Sequence, residues 1–516
     1  MNLQSLSIPD YIPTLGIWTA VLAVVLGTFF RPCVRSERVP PSVEWAQQRG
    51  GPLGNFRACV HEYRAGLKTV LSGYRTFSKC GQPFILPTTG FDPHVMLPKE
   101  HIKWVIDQPE DILSHVMVHG EKSGIKYMFP TFDYTSDLAA VEAIRIHLTR
   151  YLGKAQSVLA NEMRKSFDAM NEIIPRVVGR LMFGQRLCRN QRFMRYAQRF
   201  SMWFGIGTAL IGQLVPWQLR RIIGCLVAIP VAYYRALCTA YPWPLLNERF
   251  LNMKRQRDDP TFEYSPPEDL ITWVFRAAFD MKNTTIDSPK AVASRYSILI
   301  PVGMGSTTVT ATNTFLDLLA SDPQQNYYEV LREEAESAFS TEDDWSQSVA
   351  LQKLKRADSA IRESLRRNPI LLNALSRQVM PKEGVTLPSG QHLQQGAWVA
   401  FSAAGIHNDE RFYHKPDVYT PFRFLPTETT GEKIDTKPKT AMMVTTSDTF
   451  LPFGHARHSC PGRWFVSHVL KLLLAYITIH YDIKPLKERP LNIILGDHSI
   501  PPQHTTIFVR RRKIAA

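Results

Sequence analysis

The sequence predicts a mainly α-helical protein with a small β-rich lobe and one membrane-spanning segment in front of it. Three observations carry this reading. Apolar residues recur at helical spacing over long stretches, as in Trp464, Phe465, Val469, Leu472, Leu473, Tyr476 and Ile477. Shorter stretches mix glycine, proline and β-formers, as in Pro83-Phe84-Ile85-Leu86-Pro87. Ile12 to Phe30 is a run of 19 residues without a charge. At a rise of ~1.5 Å per residue such a run crosses a hydrocarbon core of ~30 Å.

Taken in order, the chain begins with that apolar run. Arg31, Arg35 and Arg38 follow it while the leader carries only Asp10, so the positive-inside bias places the C-terminal part in the cytoplasm. A cleaved signal peptide is the competing reading, but the leader has no basic residue and no Ala-x-Ala site precedes Arg31. The expected organisation is an anchor over 1–31, a stiff hinge over 32–45 containing Pro32, Pro40 and Pro41, and one globular domain over 46–516. No Gly/Ser or charged linker divides that domain.

Residues 73–98, from Gly73-Tyr74-Arg75 onward, read as a small sheet, and Leu138 to Phe183 as helix. Gly205 to Leu251 is rich in large apolar groups such as Leu214, Trp217, Ile222, Leu226 and Tyr233. Asn283-Thr284-Thr285 is a glycosylation sequon that a cytoplasmic domain leaves unmodified. Ser288-Pro289 supplies an N-cap and first turn for a long helix that runs to Ala320, where Ser321-Asp322-Pro323 ends it and starts another. Pro301, inside that helix, is expected to kink it. Leu354, Ala357, Ile361 and Leu365 mark a further helix, on which Glu363 and Arg366 share a face at i, i+3. Gly384 to Phe401 reads as a hairpin around Pro388-Ser389-Gly390, and Tyr481-Asp482-Ile483 through Arg510-Arg511-Arg512 as closing strands.

Charge narrows the partners. A net charge of +15 suits an anionic membrane surface or an acidic protein, while the basic residues are dispersed and match no nucleic-acid motif, so nucleic acid is excluded. Seven scattered cysteines, an odd number, argue for a reducing compartment and against a disulfide framework.

The stretch Phe453-Gly454-His455-Ala456-Arg457-His458-Ser459-Cys460-Pro461-Gly462 delivers one cysteine to the start of a helix. Pro461 suits the first helical turn, and the positive end of the dipole is expected to lower the Cys460 pKa and favour thiolate. Three readings compete. A bland buried cysteine needs neither the glycines nor the basic neighbours. A zinc site from His455, His458 and Cys460 lacks a fourth ligand at the usual spacing. A haem iron held by the Cys460 thiolate uses all of the stretch.

This stretch resembles the cysteine-ligand loop of the haem-thiolate monooxygenases, the cytochrome P-450 superfamily, whose pattern Phe453, His458, Cys460 and Gly462 fill. Ala456 stands where glycine is usual. Gly303-Met304-Gly305-Ser306-Thr307-Thr308 resembles the oxygen-activation motif, in which small residues, an acid and a threonine widen the helix; Ser306 replaces the acid. Glu363-x-x-Arg366 with Pro421-Phe422-Arg423-Phe424 resembles the pair of motifs whose glutamate and two arginines form a buried structural triad.

The resemblance covers essentially the whole chain. It implies a mostly helical triangular prism with haem b between the central and cysteine helices. Cys460 is then the axial ligand, with Phe453 and His458 beside the haem, and Arg145 and Arg377 partners of its propionates. Thr307 and Ser306 serve proton delivery. The site implied is a monooxygenase that inserts one atom of O₂ into a lipophilic small molecule. With no dinucleotide, flavin or iron–sulfur motif in the chain, electrons come from a separate NADPH–cytochrome reductase, with a small b-type cytochrome as a second candidate donor. The place implied is the cytoplasmic face of the endoplasmic reticulum membrane. His458 and the Pro-Gly-Arg-Trp-Phe continuation look most like members from fungal natural-product pathways, hence a terpenoid or polyketide-derived substrate. The rivals are an oxygen-independent haem-thiolate rearrangement and an anchored, non-catalytic haem sensor.

Overall fold

A computed structural model of the protein describes residues 34–47, 51, 53–130, 139–168, 173–280, 288–426, 441–502 and 505–513. The expected anchor, the Asn283 sequon and Cys33 lie outside them. The chain is mainly helical. Its principal helices are α1 (Gly54–Thr76), α2 (His115–Lys122), α3 (Thr149–Asp168), α4 (Ile173–Cys188), α5 (Gln191–Ala209), α6 (Arg220–Ala240), α7 (Trp243–Asp258), α8 (Leu270–Asp280), α9 (Pro289–Leu319), α10 (Tyr327–Ala338), α11 (Lys355–Arg367) and α12 (Arg463–His480).

The main sheet has the order β1 (Phe84–Leu86), β2 (His94–Met96), β7 (Trp398–Ser402), β4 (Asn373–Val379), β3 (Leu113–Ser114). Only the β2–β7 pair is parallel. The hairpin read around Gly390 is β5 (Val385–Thr386) with β6 (His392–Leu393), and Gly390 takes the positive φ of +89° that its turn requires. Strands β8 (Tyr481–Ile483) and β11 (Val509–Arg511) close the chain as expected.

Two sequence readings change. Gly73-Tyr74-Arg75 belongs to the end of α1 rather than to the sheet, because Gly73 lets the Phe84 ring pack where a Cβ would collide at 2.4 Å. Pro461 lies before α12, whose first residue is Arg463, so Cys460 sits in the turn that leads into the helix and not on its first turn.

The long central helix forms as its caps dictate. Ser288 accepts from the Ala291 N–H (3.2 Å), Pro289 opens the first turn, and α9 continues unbroken through Pro301. Its apolar residues, among them Val292, Tyr296, Ile300, Met304 and Ala311, enter one large helical core shared with α3, α4, α5, α8 and α12. A second core lies under the β-rich lobe, around Ile85, Val95, Val399 and Phe401. Helices α9 and α12 therefore stand fixed in the main core while the strand carrying Arg377 belongs to the lobe.

Candidate active site

The cysteine loop is shaped by two left-handed residues, Gly454 (φ +68°) and Ala456 (φ +57°), on either side of His455. Residues Ala456–His458 make one 3₁₀ turn, after which the Cys460 N–H donates to the Phe453 carbonyl (2.8 Å). Arg463 fastens the exit, donating from Nη1 to the Cys460 carbonyl (2.7 Å) and from Nε to Val444 (3.2 Å). Cys460 keeps part of its surface open. Burial pushes its thiol above the ordinary value, against the N–H groups of Gly462 and Arg463 and the Arg463 charge. The lowering expected from the helix dipole is thus reversed: the dipole acts over one turn, while desolvation collects from the whole fold.

Around this loop the structure gathers residues distant in sequence. His458 Nε2 lies 3.0 Å from Glu110 Oε1, and its ring packs at a tilt of 41° against His115, centroids 4.7 Å apart. Burial alone would raise the Glu110 pKa, but the hydrogen bonds from His458, Ser114 and the Val116 N–H hold it to about 2. Arg377, only 1% exposed, follows a register shift between Ala374 and Arg377 in β4. Its Nη1 contacts His115 Nδ1 (3.2 Å), while Nε and Nη2 are buried without a hydrogen-bond partner. Arg145, exposed, is on a π-helical segment before α3. It lines a cleft of about 390 Å³ with Thr149, Arg457, Ser459, Pro461 and Arg463.

On the central helix Thr307 is fully buried and its hydroxyl donates to the Gly303 carbonyl (2.9 Å). Ser306 donates to Val302 (2.8 Å). Thr308, Thr310, Thr312 and Thr314 close on their own helix in the same way. Helix α9 runs continuously through this turn, and each of these hydroxyls bonds its own helix at i−4, a pattern that often bends a helix. Val302 remains 50% exposed at mid-helix.

Glu363 and Arg366 are both fully buried on α11. Arg366 grips Glu363 through Nε and Nη2, both at 2.8 Å, and Arg423 Nε reaches Glu363 Oε2 at 3.0 Å. Arg366 also donates to the carbonyls of His407 and Pro416, and Arg423 to that of His414 (2.5 Å), so the triad ties α11 to the loops before the cysteine.

The family model Cytochrome P450 matches residues 126–507. The cytochrome P450 monooxygenase polB of Polytolypa hystricis is 38% identical over 480 residues, covering 89% of this chain and 91% of that one. The chain belongs to the cytochrome P450 family. Cytochrome P450 monooxygenase lnaC of Aspergillus flavus is 34% identical over 513 residues (95% and 96% of the two chains), and nodZ of Hypoxylon pulicicidum 33% over 519 (96% of each). Like them, this P450 is an oxygen-incorporating oxidoreductase.

The residues present fit the haem-thiolate group that the P450 family implies. Among the described residues no three His, Cys, Asp or Glu side chains converge to hold a bare metal ion, so a metal at Cys460 needs a macrocycle to bring its other donors. The buried, unpartnered N–H groups of Arg377 suit a carboxylate such as a porphyrin bears.

Sequence reasoning missed several residues of this P450 site. Glu110 and His115 carry no motif and meet His458 only through the fold. Arg362 lies over the Phe450 ring (3.6 Å) and donates to Met442 and Thr445, both 2.7 Å, bracing the segment that enters the cysteine loop. Its place one residue before Glu363 was the only available signal.

Proposed function

We propose that this P450 inserts one oxygen atom from O₂ into an unactivated C–H bond or alkene of a terpenoid or polyketide-derived molecule in secondary metabolism. Haem b bound at Cys460 supplies the redox chemistry. The carrying observation is the presentation of Cys460: its N–H donates to the Phe453 carbonyl and its carbonyl accepts from Arg463, in a loop whose Arg457, Ser459 and Pro461 line a basic cleft.

Cys460 would hold the haem iron through its thiolate, Phe453 and His458 would flank the group, and Arg377 and Arg145 would take its carboxylates. Thr307, donating to Gly303, keeps its oxygen lone pairs for a water, and Ser306 continues that chain as donor and acceptor. Glu363, Arg366 and Arg423 hold the loops that carry the cysteine. Arg457 and Arg463 make the cleft an attractive dock for an acidic reductase that brings electrons from NADPH, and for a small b-type cytochrome.

The reading of 46–516 as the catalytic domain behind an anchor over 1–31 and a hinge over 32–45 places the enzyme on the cytoplasmic side of the endoplasmic reticulum membrane. Supporting it, α6 is the one helix among the described residues long and apolar enough to cross a membrane, with Ile222, Leu226, Ile229 and Tyr233 all exposed. Because its other side packs on α5 and α9, we assign it to rest on the lipid surface.

The test is reconstitution with reductase, NADPH and ¹⁸O₂. One labelled atom in product is expected, and in Thr307→Ala hydrogen peroxide should replace product while NADPH is still consumed. Ser306→Ala should act in the same direction more mildly. Conversion without NADPH or O₂ would favour an oxygen-independent rearrangement, the reading that the missing acid at Ser306 supports.

A further inference from the structure

Helix α6 turns Ile222, Leu226, Ile229 and Tyr233 outward but sends two charges the other way, Arg220 toward Glu121 (3.9 Å) and Arg235. Arg235 reaches the central helix, where Nε donates to Ser297 Oγ (3.0 Å) and Nη2 to Ser294 Oγ and the Ser294 carbonyl (3.5 Å). Its guanidinium lies over the Phe129 ring, 4.9 Å from the centroid, and Phe129 packs against Phe200 and Phe204 of α5. Among the described residues no carboxylate comes within ion-pair distance of Arg235, and Nη1 makes no hydrogen bond. Arg249, on the next helix, shows the ordinary arrangement: buried, and paired with Asp269 at 2.5 Å.

A largely buried guanidinium without an acid is unusual because desolvation penalises the charge. Two serine hydroxyls and an aromatic face orient the group, but neutral oxygens do not cancel its charge. Burial accordingly lowers the Arg235 pKa, with no anion opposing the shift. The group that completes this arrangement is planar and negative, since a carboxylate meets a guanidinium in two parallel hydrogen bonds.

We propose that Arg235, with Ser294, Ser297 and Phe129, is the subsite that receives a carboxylate at the far end of the substrate. The inference rests on the reading of this P450 as an oxygenase of lipophilic molecules, with Thr307 at the oxygen-activating turn. Ser297 precedes Thr307 by ten residues of continuous helix, roughly 15 Å along its axis. A lipophilic acid long enough to span this interval would be oxidised at the end opposite its carboxylate. The subsite reads the carboxylate.

The experiment uses the full-length, haem-loaded protein and two pairs of probes that differ only in the head group: oleanolic acid against erythrodiol, and abietic acid against abietol. Binding is read as the haem spin-state shift and, independently of haem, as the ligand-induced rise in melting temperature. At least one acid should bind tenfold or more tightly than its alcohol. Arg235→Gln should abolish that preference by weakening the acid alone, and Arg235→Lys should keep part of it. Ser297→Ala, which removes the Nε partner together with the Ser297 bond to the Ser294 carbonyl, should weaken the acid even if the arginine variants fold poorly. Equal affinity for acid and alcohol in both pairs, no binding of any probe, or an unchanged preference in Arg235→Gln would overturn the assignment. A normal thiolate carbon monoxide band beside such a result confines the failure to this subsite; a missing band with a retained acid preference by melting temperature would locate it in the oxygenase reading.

Discussion

Ala456 holds a left-handed backbone (φ +57°) in the loop that presents Cys460, at the place where glycine is usual in the family. That conformation costs an L-residue about 1–2 kcal/mol, and glycine returns part of the gain through its freer unfolded chain. Ala456→Gly should therefore stabilise the protein by roughly 0.5–1 kcal/mol, read as a higher melting temperature at unchanged haem content; a lower one would show that the Ala456 methyl is needed. His407 sets a different kind of dependence. It is fully buried, and its Nε2 accepts the Leu451 N–H (3.0 Å). Burial first, then the charges of Arg366 and Arg362, hold its pKa to about 3, with the Arg366 hydrogen bond to its carbonyl opposing. The unfolded chain thus takes up this proton before the folded one does. Its contribution is fully present above the unfolded value of ~6.5 and is lost progressively as pH falls from there toward about 3. His407→Gln keeps an acceptor for Leu451 but cannot titrate there, so its urea midpoint should fall less steeply between pH 7 and pH 4.5. Parallel slopes would remove His407 from the acid sensitivity.

At the scale of elements, α11 is tied to the loops before the cysteine by Glu363 and its two arginines, all largely or wholly buried. Removing one partner leaves a buried charge unpaired, at roughly 3–5 kcal/mol. Glu363→Gln, Arg366→Lys and Arg423→Lys should each give little haem-loaded protein, since lysine cannot reproduce the fork that spans Glu363 and the loop carbonyls. Normal haem content in Arg423→Lys would reduce Arg423 to a surface charge. This triad was legible in the sequence because its chemistry is written at fixed spacings, as were the Phe453 to Gly462 loop and the capped central helix. What escaped reading depends on distance. Glu110 and His115 meet His458, and Arg235 meets Ser294 and Ser297, only after the helices have packed. The Cys460 pKa was misjudged for the same reason, since a local dipole is visible in sequence and the desolvation that outweighs it is not. The mix of glycine, proline and β-formers over 73–98 suggests a sheet from Gly73 onward, whereas the missing side chain at Gly73 makes room for Phe84 against the end of α1.

At the scale of the whole molecule, the exposed apolar face of α6 and the charge of +15 support the proposal of a membrane surface and an acidic partner. A protein lacking residues 1–31 should still bind anionic vesicles, and Leu226→Glu with Ile229→Glu should release it into the soluble fraction; a truncated protein that is soluble without those changes would leave α6 no membrane role. All of these statements depend on Cys460 holding haem iron through sulfur. The direct measurement is the absorbance of the ferrous, carbon monoxide-bound protein beside that of Cys460→Ser and Cys460→His. The unmodified protein should show the band characteristic of thiolate-ligated haem, and both variants should lack it. A band that survives either substitution would mean that the ligand is another residue.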